Sequence, residues 1–304
     1  MFSASDVSTL SQKQQLLRNA VAVFKEETSL VPVIGAELEF YLTPDIPVCL
    51  DTFQSRLAVH CKEQGMAAVS FEKERGDGQY EIQIDHTKDI LLVADSLEKL
   101  PAMIRTEAQQ LEQEPLFSSK PFPDQPGNSL HFHIGLFHAN GKSALMRHGP
   151  EAFREESSTM LQAIAGLLTT MQESLIYLAP NEEDYQRFVP KCDAPTTVSW
   201  GGNNRTCTLR IPASSWVLEP TRHIEHRLAS AGADPYLAIA TLLGGIHHGV
   251  TQKLTPSSPK TYGDASLPMY NLEPLASSLE QATQINREGN VINAFLARSL
   301  PATS

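Results

Sequence analysis

The chain has 304 residues, 41% hydrophobic and 19% charged, an ordinary globular composition with enough length for one or two domains and a full core. Its net charge of −11 argues against a nucleic-acid partner, because phosphate binding wants a basic surface. No signal peptide opens the chain and no apolar run approaches the ~20 residues of a membrane span.

Thr9 to Glu27 reads as a helix with Ser11 as candidate N-cap and Leu10, Leu16, Leu17, Ala20, Val21 and Phe24 on one stripe. Residues 1–30 are thus expected as an N-terminal helical segment ahead of a larger unit at 31–304. Ile34 to Leu42 alternates as a strand. Asp51 could cap a helix running to Gln64 and stopped by Gly65. Glu74 to Glu81 forms a loop entering a second strand, and Thr87 could cap a helix reaching Glu114, kinked or broken at Pro101. Asn128 to Ile134 is strand-like. Glu151 to Leu178 is helical, with Leu161, Ile164, Leu168, Met171 and Leu175 as core positions. Arg222 to Leu228 is strand-like again. Asp234 to Leu254 follows as a long helix with Pro235 in its first turn. Within it, His247 and His248 are adjacent, so they do not share a helix face and are not read as a ligand pair. Thr255 to Lys260, rich in Pro and Ser, is a loop. The expected class is α+β: an antiparallel sheet curled around a site, with helices surrounding it. Cys49, Cys61, Cys192 and Cys207 show no CxxC spacing and no disulfide framework, which suits a reducing cytoplasm.

The strands carry the chemistry. Successive side chains on a strand point to opposite faces. Glu37 and Glu39 therefore share one face while Leu38 and Phe40 take the other. The same parity groups Glu81, Gln83 and Asp85, then His131 and His133, then His223, Glu225 and Arg227. With Glu74, these form a wall of carboxylate and imidazole that cannot be buried without cations to neutralise it. Oxygen ligands with a single imidazole suit Mg²⁺ or Mn²⁺, and six ligands (Glu37, Glu39, Glu74, Glu81, His131 and Glu225) call for two or more ions. Paired divalent ions on a phosphate chain are a recurring device of phosphoryl transfer. Arg187, Arg205, Arg210, Arg222 and Arg227 follow, each able to grip a carboxylate or phosphate bidentately.

In order, Glu37-Leu-Glu39, Glu74-Arg-Gly-Asp-Gly-Gln-Tyr-Glu81, Asn128-Ser-Leu-His-Phe-His133, Arg187-Phe-Val-Pro190, Asn204-Arg-Thr-Cys-Thr-Leu-Arg-Ile-Pro212 and Glu225-His-Arg227 with Asp234-Pro-Tyr-Leu237 resemble the catalytic domain of the glutamine synthetase family. The resemblance runs from about Gly35 to Val250, with a weaker echo from Leu275 to Leu296. It implies that Glu39, Glu74 and Glu81 hold a metal near the substrate carboxyl, and that Glu37, His131 and Glu225 hold one near the ATP phosphates. Arg187 and Arg227, with the Gly127 backbone, would bind the amino-acid substrate. Arg205, Arg210, His133 and Arg222 would face nucleotide phosphates, with Arg205 and Arg210 stabilising the transferred group. Asp193 would help deprotonate the attacking amine.

Four positions depart from the family pattern. Pro126 stands where an Asn usually touches the substrate amino group, Asp193 replaces a flap Glu, His223 replaces an Arg, and Ser129 replaces a Gly. The family's N-terminal β-grasp domain is expected to be absent, since residues 1–30 alone precede the first strand. The leading expectation is an ATP-dependent ligase joining a glutamate-like acid to an amine through an acyl phosphate. Two alternatives stay open: a degenerate homologue that binds nucleotide or glutamate as a regulatory subunit, and a partial enzyme completed by a partner chain. The expected assembly is a homo-oligomer or a complex in which a second chain closes the site, with the apolar stripe of the first helix as a candidate contact.

Overall fold

The computed structural model describes residues 2–44, 50–67, 69–146, 156–189, 194–213 and 222–301. The leading helix α1 (Leu10–Thr28) starts at Thr9, not Ser11: Thr9 and Gln12 each bond the other's backbone N–H, a reciprocal cap that an N-cap two residues later could not make. Strand β1 (Val31–Thr43) follows, then α2 (Leu50–Glu63), β2 (Val69–Lys73) and β3 (Gln79–Thr87). Asp51 lies inside the first turn of α2, and Gly65 takes the left-handed conformation just past its end, at φ 64°.

Helix α3 (Ile90–Gln109) is capped by Asp89 and not Thr87, because Asp89 Oδ1 accepts from Leu92 N at 3.1 Å while Thr87 Oγ1 accepts from Asp89 N. Pro101 is accommodated within it, and Glu114 belongs to the short strand β4 (Glu114–Leu116) beyond. Then come β5 (Leu130–Phe137), α4 (Ser158–Leu178), β6 (Trp200–Gly202), β7 (Leu209–Ile211) and β8 (Ile224–His226). Helices α5 (Pro235–Thr251), α6 (Leu279–Glu288) and α7 (Val291–Arg298) complete the fold. Asp234 caps α5 through Tyr236 N and Leu237 N, as its position before Pro235 suggests. The expected helical residues 151–155 lie outside the described residues.

The sheet runs β2-β3-β1-β5-β8-β7-β6, with β4 on β1. It is mixed and not wholly antiparallel as expected: β6 and β7 pair in parallel, since the chain between them makes a tight excursion through Gly202 to Cys207 and returns in the same direction. The apolar face carries Leu38, Phe40, Ile82, Ile84, Leu130, Phe132 and Ile134 into a continuous core. Helix α3 lies against β1, and α5 sits centrally against α1, α3, α4 and α7.

Helix α5 contains no Asp, Glu, Lys or Arg, and all but three of its residues are buried. The α4–α5 crossing is tight enough that a Cβ on Gly166 would stand 2.1 Å from Gly245 O, so only glycine fits there. The stripe on α1 has an internal partner: Leu16, Leu17, Ala20 and Phe24 are fully buried, and α1 packs on α5. His247 bonds Glu27 on α1 at 2.7 Å, a tie between helices that fits its non-ligand reading. Those four residues of the stripe are therefore core, while Leu10 at its start is exposed. No described helix is long and apolar enough to cross a membrane.

Candidate active site

Register assembles the acidic wall. Directly opposite residues on paired antiparallel strands share a face. Glu39 on β1 opposes Glu81 on β3, Glu37 opposes both Gln83 and His131, and His133 on β5 opposes Glu225 on β8, which in turn opposes Arg210 on β7. Glu74 joins from the β2–β3 loop, where its N–H bonds Gln79 O at 3.0 Å and closes the turn. All of these groups except His133 line one cavity of about 750 Å³ together with Arg187, Arg205, Arg227, Gly127 and Pro126.

Two carboxylate clusters share Glu81: Glu39–Glu74–Glu81 and Glu37–Glu81–His131, each with ligand atoms within 4.8 Å of one another. Among the described residues, no lysine or arginine pairs with Glu39, Glu74 or Glu81. Burial, and then the charge of Glu37, pushes the Glu81 carboxyl up to about 9, while burial and Glu39 raise Glu74. Hard oxygen donors crowded without a direct ion-pair partner fit a divalent cation such as Mg²⁺ or Mn²⁺.

The second cluster is organised differently. Burial opposes ionisation of Glu37, but hydrogen bonds from His131 and His133 outweigh it and hold this carboxyl well below the usual range. Glu37 Oε2 lies 3.1 Å from His131 Nδ1, and its Oε1 lies 2.9 Å from His133 Nε2. Glu225 stands 3.9 Å from His131 Nδ1 through Oε1, but both its oxygens are bonded, to Arg227 and Arg210 respectively. Burial works against its charge too, yet His131 and Arg227 beside it hold it at about 2.

The arginines divide. Arg187 is buried, donating Nη2 to Leu228 O at 2.5 Å and Ala229 O at 3.2 Å, and burial brings its guanidinium down to about 10. A Cβ on Gly127 would lie 2.9 Å from the Arg187 stem and 2.5 Å from Ser119 O, so glycine is required for this packing. The Nε atoms of Arg187 and Arg227 are buried with no hydrogen-bond partner among the described residues, and both side chains contribute to the cavity lining. Arg205 is exposed at the cavity, and Arg210 is steered by Asn203, whose Oδ1 accepts from its Nη2 at 2.7 Å. Arg222 is elsewhere: its guanidinium pairs with Glu156, which also holds Lys260 at 2.8 Å, and it is not in the cavity lining. His133 also stands behind the lining, between Glu37 and His223. Asp193 lies outside the described residues.

Several positions escaped the sequence reading. Ser129 Oγ donates to Glu39 Oε2 at 2.7 Å and sits 2.8 Å from His131 Nε2, linking the two clusters. Gln79 bonds Gly127 O and Asn128 Oδ1, pinning the Glu74 loop to β5. Gln83 steadies Glu81 at 2.9 Å. Parity pointed to Gln83, and Gln79 and Ser129 stand within quoted motifs, but nothing local gives the bonds they make.

Residues 48–302 match the family model for the glutamine synthetase catalytic domain, and the chain belongs to that family. Glu37 and Glu39 precede the matched span, so their place rests on the β1 register. The chain is 35% identical over 181 residues to a γ-glutamylputrescine synthetase of Escherichia coli, covering 60% of this chain and 37% of the relative. It is 33% identical over 199 residues to a γ-glutamylethanolamide synthetase of Streptomyces coelicolor, covering 64% and 40%. A glutamate–isopropylamine ligase of a Pseudomonas species is 31% identical over 234 residues, covering 76% and 49%. The chain thus spans about half the length of these curated relatives or less. The fold matches the solved structure of GmaS with ADP at a TM-score of 0.79 and 22% identity, covering 94% of this chain and 70% of that one.

Proposed function

We propose that this chain is the catalytic part of an ATP-dependent carboxylate–amine ligase acting on glutamate or a glutamate-like acid. The observation that carries the proposal is the cavity itself: two carboxylate clusters sharing Glu81 on one wall, and Arg187 and Arg227, each with an unpartnered buried Nε, in the same lining. In this reading the arginines clamp the α-carboxylate and leave the γ-carboxylate toward the acidic wall. An oxygen of that γ-carboxylate attacks the terminal phosphorus of ATP, and ADP departs with the electrons of the broken P–O bond. The amine nitrogen then attacks the acyl carbon, phosphate leaves, and the nitrogen's proton passes to a base, for which Asp193 is the candidate.

Divalent ions at Glu39–Glu74–Glu81 and at Glu37–His131–Glu225 would draw charge from the transferring phosphoryl group. Arg205 and Arg210 carry positive charge to the same region. An amine larger than ammonia suits the relatives named for putrescine, ethanolamide and isopropylamine. A homo-oligomer or a partner chain that walls off the cavity would protect the acyl phosphate from water.

One observation favours the binding-only alternative: Glu225 is already engaged at both oxygens. Phosphate release from ATP, measured with glutamate and a panel of primary amines, separates the readings. The ligase requires release that depends on both acid and amine and a γ-glutamyl amide by mass spectrometry. Nucleotide binding with no such product would establish the alternative.

A further inference from the structure

Beside the carboxylate wall, three histidines from three neighbouring strand positions converge. His86 closes the end of β3, His133 lies in β5, and His223 immediately precedes β8. One nitrogen from each falls within 4.8 Å of the others. His133 Nδ1 and His223 Nε2 are 2.9 Å apart, and the His86 ring lies 5.2 and 5.7 Å, centre to centre, from those of His223 and His133.

Strand β1 runs between His86 and His133, so this meeting needs a local device. The β1–β3 register slips between Ile34 and Ala36, leaving both Asp85 and His86 opposite Gly35. Such a bulge re-aims the side chain at its apex. Gly35, which pairs with His133 on the other side, supplies the gap: a Cβ there would stand 3.0 Å from His86 Nδ1. His86 thus crosses β1 over the one residue with no side chain.

We propose that His86, His133 and His223 form a further metal site, selective for an imidazole-preferring divalent ion such as Zn²⁺, Co²⁺ or Ni²⁺, adjacent to but distinct from the carboxylate clusters. Three imidazole ligands suit these ions better than Mg²⁺. A tetrahedral site with bonds of about 2.0 Å sets its nitrogens roughly 3.3 Å apart, a small opening of the His133–His223 pair. Glu37 Oε1 lies 2.9 Å from His133 Nε2, where a carboxylate can orient a ligating histidine from behind, and His133 Nδ1 is left for the ion. His86 is exposed, which gives the ion an entry path. The site stands on these residues alone and does not require the ligase reading.

The test uses the full chain, stripped with chelator, saturated with Mg²⁺ and titrated with Co²⁺ by calorimetry and visible absorption. We expect one further equivalent with intense nitrogen-ligated bands. The substitutions His86→Ala and His223→Ala should each weaken it about tenfold or more, whereas Glu74→Gln should leave it in place. Because His86 is exposed, its removal leaves the core intact, and an unchanged Mg²⁺-dependent rise in melting temperature verifies this. Co²⁺ uptake unaffected by both histidine substitutions, or abolished by Glu74→Gln, would overturn the proposal.

Discussion

The crowding of Glu81 makes cation binding a proton-release reaction. Glu81 is buried opposite Glu39 and shares both carboxylate clusters, and its carboxyl is held up to about 9 by burial and by Glu37. In the cation-free chain at neutral pH Glu81 therefore carries a proton that an isolated carboxyl would have lost. The sign follows directly. A folded-state value raised above the ordinary one means that the native state binds more protons than the unfolded chain. Its advantage is full below the usual carboxylate range and is lost as pH rises toward 9, by about 1.4 kcal/mol per pH unit.

A divalent ion must displace that proton, so Mg²⁺ or Mn²⁺ affinity should rise about tenfold per pH unit between roughly pH 6 and 8. Calorimetry in buffers of different protonation enthalpy counts the protons, with about one released per chain expected at pH 7. Glu81→Gln should abolish the release and flatten the pH dependence. Affinity independent of pH across that range, with no proton released by the unsubstituted chain, would refute the reasoning.

Arg227→Ala removes one of the two unpartnered Nε donors and one of the two bonds on Glu225, and should eliminate glutamate-dependent turnover while nucleotide binding, measured by calorimetry, stays within a few-fold. Gly166→Ala forces a Cβ against Gly245 O and should cost about 1–3 kcal/mol in denaturant unfolding; an unchanged midpoint would mean the α4–α5 crossing is looser than its geometry. Glu173→Ala withdraws the carboxylate that accepts from Val291, Ile292 and Asn293 N at the start of α7, with an expected loss of about 2 kcal/mol by the same measurement. A chain beginning at Leu30 exposes the α5 surface that Leu16, Leu17, Ala20 and Phe24 cover, so it should lose cooperative thermal unfolding; retention of a sharp transition would contradict the core role of α1.

Much of the wall was legible because a strand has a period of two and no cheap alternative. Once Leu38, Phe132 and Ile224 are placed in the core, Glu37, His131 and Glu225 have one face left to occupy. The same rule failed at His86, where the bulge opposite Gly35 breaks the period and no local residue pattern announces it. Arg222, expected to face the phosphates, pairs with Glu156, a contact distant in sequence that no local pattern announces. The α1 stripe showed that a partner existed without saying which; α5, apolar on nearly every side, takes it. The cap moved from Ser11 to Thr9 because Gln12 stands three residues after Thr9, a spacing visible in the sequence and outweighed there by the preference for Ser.

The central claim is that a carboxylate held by Arg187 and Arg227 is phosphorylated before an amine attacks it. Glutamate labelled with ¹⁸O in its γ-carboxyl, turned over with ATP, Mg²⁺ and a primary amine such as putrescine, tests this at the atom concerned. The account predicts one ¹⁸O in each phosphate released, carried over when the acyl phosphate breaks. Phosphate free of label, with ATP consumed, would contradict it.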